Sequence, residues 1–222
     1  MSPFELLRAD QISPLMVLLV YYQPSMDPYL KHFRKADPVI ADLIKRFGPY
    51  EPKKRRGRFQ VLTSSIISQQ ISTSAARSIR QRLVDRLKPG VITAPKLAAL
   101  SVEELRELGI SRQKGEYLLD LAKHVNDGRV SLRRMGSMDD EKVIEQLTQV
   151  RGIGVWTAQM FLMFSLDRLD VFPFDDLGIR NAIKNLYELD DAPTKAQGTE
   201  ISDRWRPYRT VACWYCWRSL DG

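Results

Sequence analysis

From residue 37 onward, apolar side chains return every three or four positions in short runs, most of them closed by glycine or proline. That is the spacing of helices with one buried face. Asp37 precedes VIADLIKRF, which ends at Gly48, and residues 59–70 (FQVLTSSIISQQ) carry an apolar face. Thr73 opens a long helix, SAARSIRQRLVDRL, that Pro89-Gly90 closes. Ser101 and Glu104 have the spacing of a capping box, in which each side chain satisfies a backbone N–H of the other residue, and Gly109 ends that short helix. Residues 112–126 predict the next helix, stopped by Asp127-Gly128. Ser137 to Asp140 reads as a second capping box, opening a helix over DDEKVIEQLTQV. The pattern predicts a mainly α fold.

The N-terminal region differs. The run 14–22 (PLMVLLVYY) is apolar throughout, and residues 15–22 read as a strand or a docked extension. It is far shorter than a bilayer requires, and it lacks the basic start and small-residue cleavage site of a signal peptide. Helix-like sequence first appears at Met26, an alternative start of translation. We therefore set residues 1–25 apart as an extension of unassigned role and take 26–222 as the functional domain. The chain reads as intracellular, with no membrane partner.

Charge and cysteine content narrow the function classes. Lys and Arg number 34 against 27 Asp and Glu, a net charge of +7, which suits a polyanionic partner such as nucleic acid. The basic run 53–58 (KKRRGR) and Arg77, Arg80 and Arg82 are candidate contacts to it. The two cysteines, Cys213 and Cys216, cannot build a disulfide framework. Their C-x-x-C spacing falls in an apolar helix, so both read as buried structural thiols. Trp205 and Trp214 read as core.

The chemistry concentrates in two segments. In 147–161 (LTQVRGIGVWTAQMF) a helix runs into a Gly-Ile-Gly turn and a second apolar helix follows at once; the hairpin spans about 147–166. Glycines let a backbone turn tightly and approach another molecule closely. The first N–H groups of the second helix have no carbonyl within the helix, and with the helix dipole they form an anion site. For DNA the anion is a backbone phosphate, a contact that positions the protein without reading sequence. The second segment is FPFDDLGIR (172–180), where Asp176 opens the helix LGIRNAIKNLY. An aspartate there is an ordinary N-cap. It is also a carboxylate supported by a helix N-terminus, suited to serve as a base or an electrostatic stabiliser.

These two segments, together with LTSSIISQQIS (62–72), LGISRQKGEYLLDLA (108–122), WRPYRT (205–210) and Trp217-Arg218, resemble the helix-hairpin-helix DNA glycosylases, in particular the 3-methyladenine DNA glycosylase II branch. The resemblance covers roughly residues 26–220. It implies a mainly α fold of two helical lobes with the active-site cleft between them. It puts the catalytic carboxylate on Asp176, with Asp175 as its adjacent rival. The phosphate grip falls on Gly152, Gly154 and Thr157, and the residue that plugs the emptied stack on Gln70. The walls of the base pocket fall on Trp156 and Trp217, with Met160 where the family usually has tyrosine. Carbonyls of Thr148, Val150 and Ile153 would hold a monovalent cation, sodium or potassium; no other cofactor is required. Strand-nicking relatives carry a nucleophilic lysine where this chain has Trp156, and residues 152–170 contain no lysine. A Schiff-base step is therefore not expected. The four cysteines of an iron–sulfur cluster are missing as well.

The implied activity is monofunctional: excision of alkylated purines (3-methyladenine, 7-methylguanine) from double-stranded DNA by a monomer, in base excision repair. Two alternatives stand beside it. One is a glycosylase of the same superfamily for oxidised or mismatched bases. The other is a non-catalytic helix-hairpin-helix DNA-binding protein, in which Asp176 is only a cap.

Overall fold

The computed structural model describes residues 27–53 and 57–221, and among these it contains helices and no strand. The possible strand at 15–22 and the extension 1–25 lie outside the described residues. No helix of the described residues is long and apolar enough to cross a membrane. The described residues divide into two compact units, 27–52 with 174–221, and 53–173.

The first unit holds α1 (Pro28–Ala36), α2 (Pro38–Phe47), α10 (Leu177–Leu186), α11 (Lys195–Asp203) and α12 (Arg209–Leu220). Helix α12 packs on α2 and α10. Leu30, Phe33, Ile40, Ile44, Ile179, Ile183 and Val211 are buried in its core, each worth about 1.5–3 kcal/mol of burial. One buried polar group organises this core. Asp37, 1% exposed, caps α2 by accepting from the amides of Val39 (3.1 Å) and Ile40 (3.4 Å). Its other oxygen accepts the Tyr187 hydroxyl at 2.7 Å and the Trp205 indole N–H at 2.9 Å. Burial, with the Asp37 carboxylate beside it, pushes the Tyr187 phenol well above its ordinary pKa. Trp205 is fully buried, as expected. Trp214 is half-buried, with Tyr50 and Tyr215 edge-on to it and the Arg218 guanidinium 5.2 Å from its ring. It closes the margin of the core and does not fill its interior.

The second unit holds α3 (Arg58–Ser68), α4 (Thr73–Arg86), α5 (Ala94–Ala98), α6 (Val102–Glu107), α7 (Arg112–Asn126), a 3-10 turn (Arg134–Ser137), α8 (Asp140–Thr148) and α9 (Val155–Ser165). Helix α7 is its centre: α3, α5 and α6 pack on it, while α9 packs on α8 and α3. The capping box of Ser101 and Glu104 is formed, and Gly109 follows that helix at φ +87°.

The expected capping box at Ser137 is absent. Helix α8 starts after Asp139, which makes no side-chain cap bond, and the Ser137 hydroxyl donates instead to the Arg134 carbonyl at 3.0 Å. The serine belongs to the preceding 3-10 turn, so it is spent before the helix begins. Two helices were not anticipated as elements, α5 and α11, whereas α1 begins two residues after Met26, where the sequence first turns helix-like. Helix α11 has a complete capping box between Thr194 and Gln197.

Candidate functional site

In the first unit the chemistry centres on Asp176. It is the N-cap of α10, half-buried, and its Oδ1 accepts the Ile179 amide at 2.9 Å. The same oxygen accepts the indole Nε1–H of Trp217, on α12, at 2.9 Å. Two N–H donors on one oxygen fix the orientation of the carboxylate, and hydrogen bonds to an ionised acceptor are among the stronger ones. Asp175, the neighbouring candidate, is exposed and caps nothing. Leu177, the first residue of α10, is 68% exposed.

Gly178 is a site residue that sequence reasoning missed. A Cβ there would lie 3.1 Å from Asp176 Oδ1 and 3.1 Å from Trp217 Cδ1, tight enough to push the pair apart. The glycine of D-D-L-G was the available signal. Two turns and one turn before the end of α12, the Cys213 and Cys216 thiols are buried as expected, and burial pushes both well above the ordinary cysteine pKa. They stay protonated and inert.

In the second unit the hairpin is formed by α8, the turn and α9. The turn closes through Val150 N–H to the Leu147 carbonyl and Ile153 N–H to the Val150 carbonyl, both 3.1 Å. Its two glycines do different work. Gly152 has φ +82°, and a Cβ on it would lie 2.1 Å from Tyr117 Cδ2, so the fold itself demands glycine. Gly154, the N-cap of α9, has φ −91°, and nothing lies within 4 Å of a Cβ built on it. The fold leaves that space open, and an approaching molecule can use it.

The Arg151 amide is not available to an anion, because it donates to Asp120 Oδ2 at 2.9 Å. The amides at the start of α9 have no side-chain cap. Thr157 is buried, so what it can offer an anion is its backbone amide. Trp156 is 47% exposed at the start of the same helix, and Met160 is half-buried one turn later. Thr148 is the last residue of α8, where carbonyls outlast their helical donors. The Val150 carbonyl already accepts Ile153, with a second lone pair remaining. Among the described residues no group of three or more His, Cys, Asp or Glu side chains is placed to hold a metal ion.

Gln70 is exposed and lies two residues past the end of α3, at φ +54°. Few residues other than glycine take this conformation without support. Gln69 beside it donates its side-chain amide to the Gly152 carbonyl at 2.8 Å, which ties this turn to the hairpin. Ile71 is 37% exposed.

The basic candidates divide. The Arg58 guanidinium bonds the Leu132 carbonyl at 2.6 Å and the Arg133 carbonyl at 3.3 Å, and Arg82 bonds the Leu108 carbonyl at 2.8 Å. These two hold loops. Lys53, Arg77 and Arg80 are exposed, and residues 54–56 lie outside the described residues.

Residues 63–207 match the family model of the HhH-GPD superfamily base excision DNA repair proteins. The chain is 38% identical, over 73% of its length, to a putative DNA-3-methyladenine glycosylase of Bacillus subtilis, and it spans 59% of that relative. A solved DNA-3-methyladenine glycosidase from Bacillus halodurans superposes with a TM-score of 0.81 at 35% identity, covering 88% of this chain and 90% of that one. A Schizosaccharomyces pombe 3-methyladenine DNA glycosylase in complex with abasic DNA superposes with a TM-score of 0.76 at 32% identity, covering 87% and 97%.

Proposed function

Because the chain belongs to the HhH-GPD superfamily of base excision DNA repair proteins, we propose that it is a monofunctional DNA glycosylase that hydrolyses the N-glycosidic bond of alkylated purines in double-stranded DNA. The observation that carries this reading is the Asp176 carboxylate, aimed by a helix amide and by the Trp217 indole. Three similar proteins bear names for 3-methyladenine excision, and one of them was solved with abasic DNA, the form of product such a reaction leaves.

The chemistry asks for few polar groups. Alkylation at N3 or N7 makes the purine cationic, so it leaves as a neutral base and needs no strong general acid. The sugar left behind is oxocarbenium-like, and Asp176 stabilises its charge or orients the attacking water. The target base must first leave the stack, at a few kcal/mol. Gln70 takes the vacated place. The indole of Trp156 offers an electron-rich face to the cationic base, a contact worth on the order of 1–2 kcal/mol when desolvated. Met160, one turn on from Trp156 in α9, adds apolar surface beside that indole, and Trp217, whose N–H is committed to Asp176, keeps its ring face for stacking against a base.

Backbone amides around Gly154 grip phosphate, and the Thr148, Val150 and Ile153 carbonyls suit a monovalent cation, whose charge would strengthen that grip. Trp156 occupies the position where strand-nicking relatives have lysine, so no imine forms and the product is an intact abasic site. We place the protein inside the cell, acting as a monomer.

The test is direct. Protein incubated with methylated duplex DNA is expected to release 3-methyladenine and 7-methylguanine and to leave abasic sites, with no borohydride-trapped adduct. DNA binding without base release would support the non-catalytic alternative. Release confined to oxidised or mispaired bases would move the protein to the other branch, and a trapped covalent complex would overturn the monofunctional reading.

A further inference from the structure

The turn that carries Gln70 is anchored by an element that the chemistry above does not use. Lys114, on α7, donates its ammonium to the Ile67 carbonyl at 2.8 Å and to the Gln69 carbonyl at 2.5 Å. Both carbonyls lie at the end of α3, where helical donors run out and the helix dipole favours a cation. A lysine head is strongly hydrated and is ordinarily left in water. This one is half-buried, and burial pulls its pKa below the ordinary lysine value. A helix end of this kind is commonly closed by glycine in the left-handed conformation. Here that conformation falls on Gln70. Backbone of this sort persists where its surroundings over-determine it, and Lys114 supplies two of the bonds that do so.

The same face of α7 also reaches the hairpin. Three residues on from Lys114, the Tyr117 ring lies against Gly152, and its hydroxyl accepts from the Gln113 side chain at 2.8 Å. Three residues further, Asp120 accepts the Arg151 amide. Gln69 completes the circuit through its bond to the Gly152 carbonyl. Positions 114, 117 and 120 therefore connect one helix to both the Gln70 turn and the phosphate-binding turn.

Resting on the glycosylase reading, we propose that Lys114 is a positioning residue for the wedge, holding the Gln70 turn in register with the hairpin so that Gln70 enters the duplex where the phosphates are gripped. It acts through Gln70 and touches no reacting atom. Opening a base stack takes work, and a turn that yields delivers less of it. A lesion with no partner base asks for less.

The experiment compares single-turnover excision of 7-methylguanine from two duplexes, one with the lesion opposite cytosine and one with it opposite an abasic-site analogue. For Lys114→Met we expect about tenfold slowing on the paired lesion and no more than about twofold on the unpaired one, since unpairing is the step a wedge assists. Gln70→Ala is expected to show the same selectivity. The double variant should be no slower than Gln70→Ala alone, because residues acting through one another are not additive. Lys114→Gln, which keeps a donor, serves if the methionine variant fails to give a cooperative melt, and the same selectivity is expected of it. Equal slowing on both duplexes, or a double variant as slow as the product of the singles, overturns the proposal. A wild-type protein inactive on both duplexes fails earlier, at the glycosylase reading itself.

Discussion

The indole N–H of Trp217 and the backbone N–H of Ile179 meet on a single oxygen of Asp176, each at 2.9 Å. The two donors lie on different helices, α12 and α10. The carboxylate is thus clamped between an element that it caps itself and an element that it does not belong to. A plain helix cap needs only the first bond. The second is what a carboxylate with a task would gain, because a fixed acceptor loses no orientation when charge develops beside it.

Replacing Asp176 by asparagine keeps an oxygen for both donors and removes the charge. Base release should fall by about 100- to 1000-fold, the usual loss when one electrostatic stabiliser is removed. DNA affinity, measured by fluorescence anisotropy on an abasic duplex, should change little. Asp175→Asn should stay active, since Asp175 is exposed and caps nothing. The reverse pattern would move the catalytic assignment by one residue.

Trp217→Phe keeps an aromatic wall and removes the N–H. A hydrogen bond to a charged group contributes about 1.5–3 kcal/mol, so kcat should fall by roughly ten- to a hundredfold while KM for DNA stays near its original value. The loss should be the same for cationic 3-methyladenine and neutral hypoxanthine, if the latter is cleaved, because orientation of Asp176 serves both. Trp217→Ala removes the wall as well and should slow the neutral lesion more than the cationic one. A phenylalanine variant with full kcat would reduce Trp217 to a packing residue.

A third expectation concerns stability alone. Asp37→Ala removes the acceptor that the half-buried Tyr187 hydroxyl and the fully buried Trp205 indole N–H share, leaving the indole its longer bond to the Tyr187 oxygen at 3.3 Å. A buried donor left poorly paired costs roughly 1–3 kcal/mol, and the α2 cap is lost too, at about 1 kcal/mol. Thermal unfolding should therefore begin many degrees lower. Asp37→Asn keeps an acceptor and should lose less. A melt of Asp37→Ala that matched the wild type would show that this buried carboxylate organises nothing.

The parts of the site that were legible in the sequence are the ones made by neighbours along the chain. Asp176 as a helix cap, the Gly-Ile-Gly turn and the Ser101–Glu104 box all depend on contacts within a few residues, and their residue types announce them. The Trp217–Asp176 bond spans 41 residues and the Lys114–Gln69 bond 45. Nothing in the local pattern separates an indole that stacks from one that also donates, or a surface lysine from one that caps another helix. Arg58 and Arg82 read from the sequence as candidate DNA contacts, and the carbonyls they bond, 74 and 26 residues away, lie beyond any local pattern. Ser137 had the right spacing to a carboxylate but already belonged to the 3-10 turn before it. Thr194 and Gln197 have the spacing of a capping box, but the helix they open, α11, buries only Gly198, Ile201 and Ser202, so no apolar stripe marks it.

The two hairpin glycines give the sharpest separation between fold and function. Gly152→Ala meets the Tyr117 ring and a left-handed φ at once. Strain of that kind costs on the order of 1–3 kcal/mol before any clash is counted, so this variant should melt earlier and lose binding through damage to the turn. Gly154→Val meets nothing in the protein, and its φ of −91° suits any side chain. Valine in place of glycine at an N-cap costs about 1 kcal/mol, so this variant should stay folded and melt only slightly earlier than the wild type. Yet a side chain there fills the space through which a phosphate would reach the amides of α9. Gly154→Val should therefore weaken binding on all sequences alike, since phosphate contacts carry no base information. The lost affinity should also flatten the dependence of binding on salt, because a phosphate contact has been removed. A stable Gly154→Val protein that binds duplex DNA as tightly as the wild type would remove the hairpin from the DNA interface.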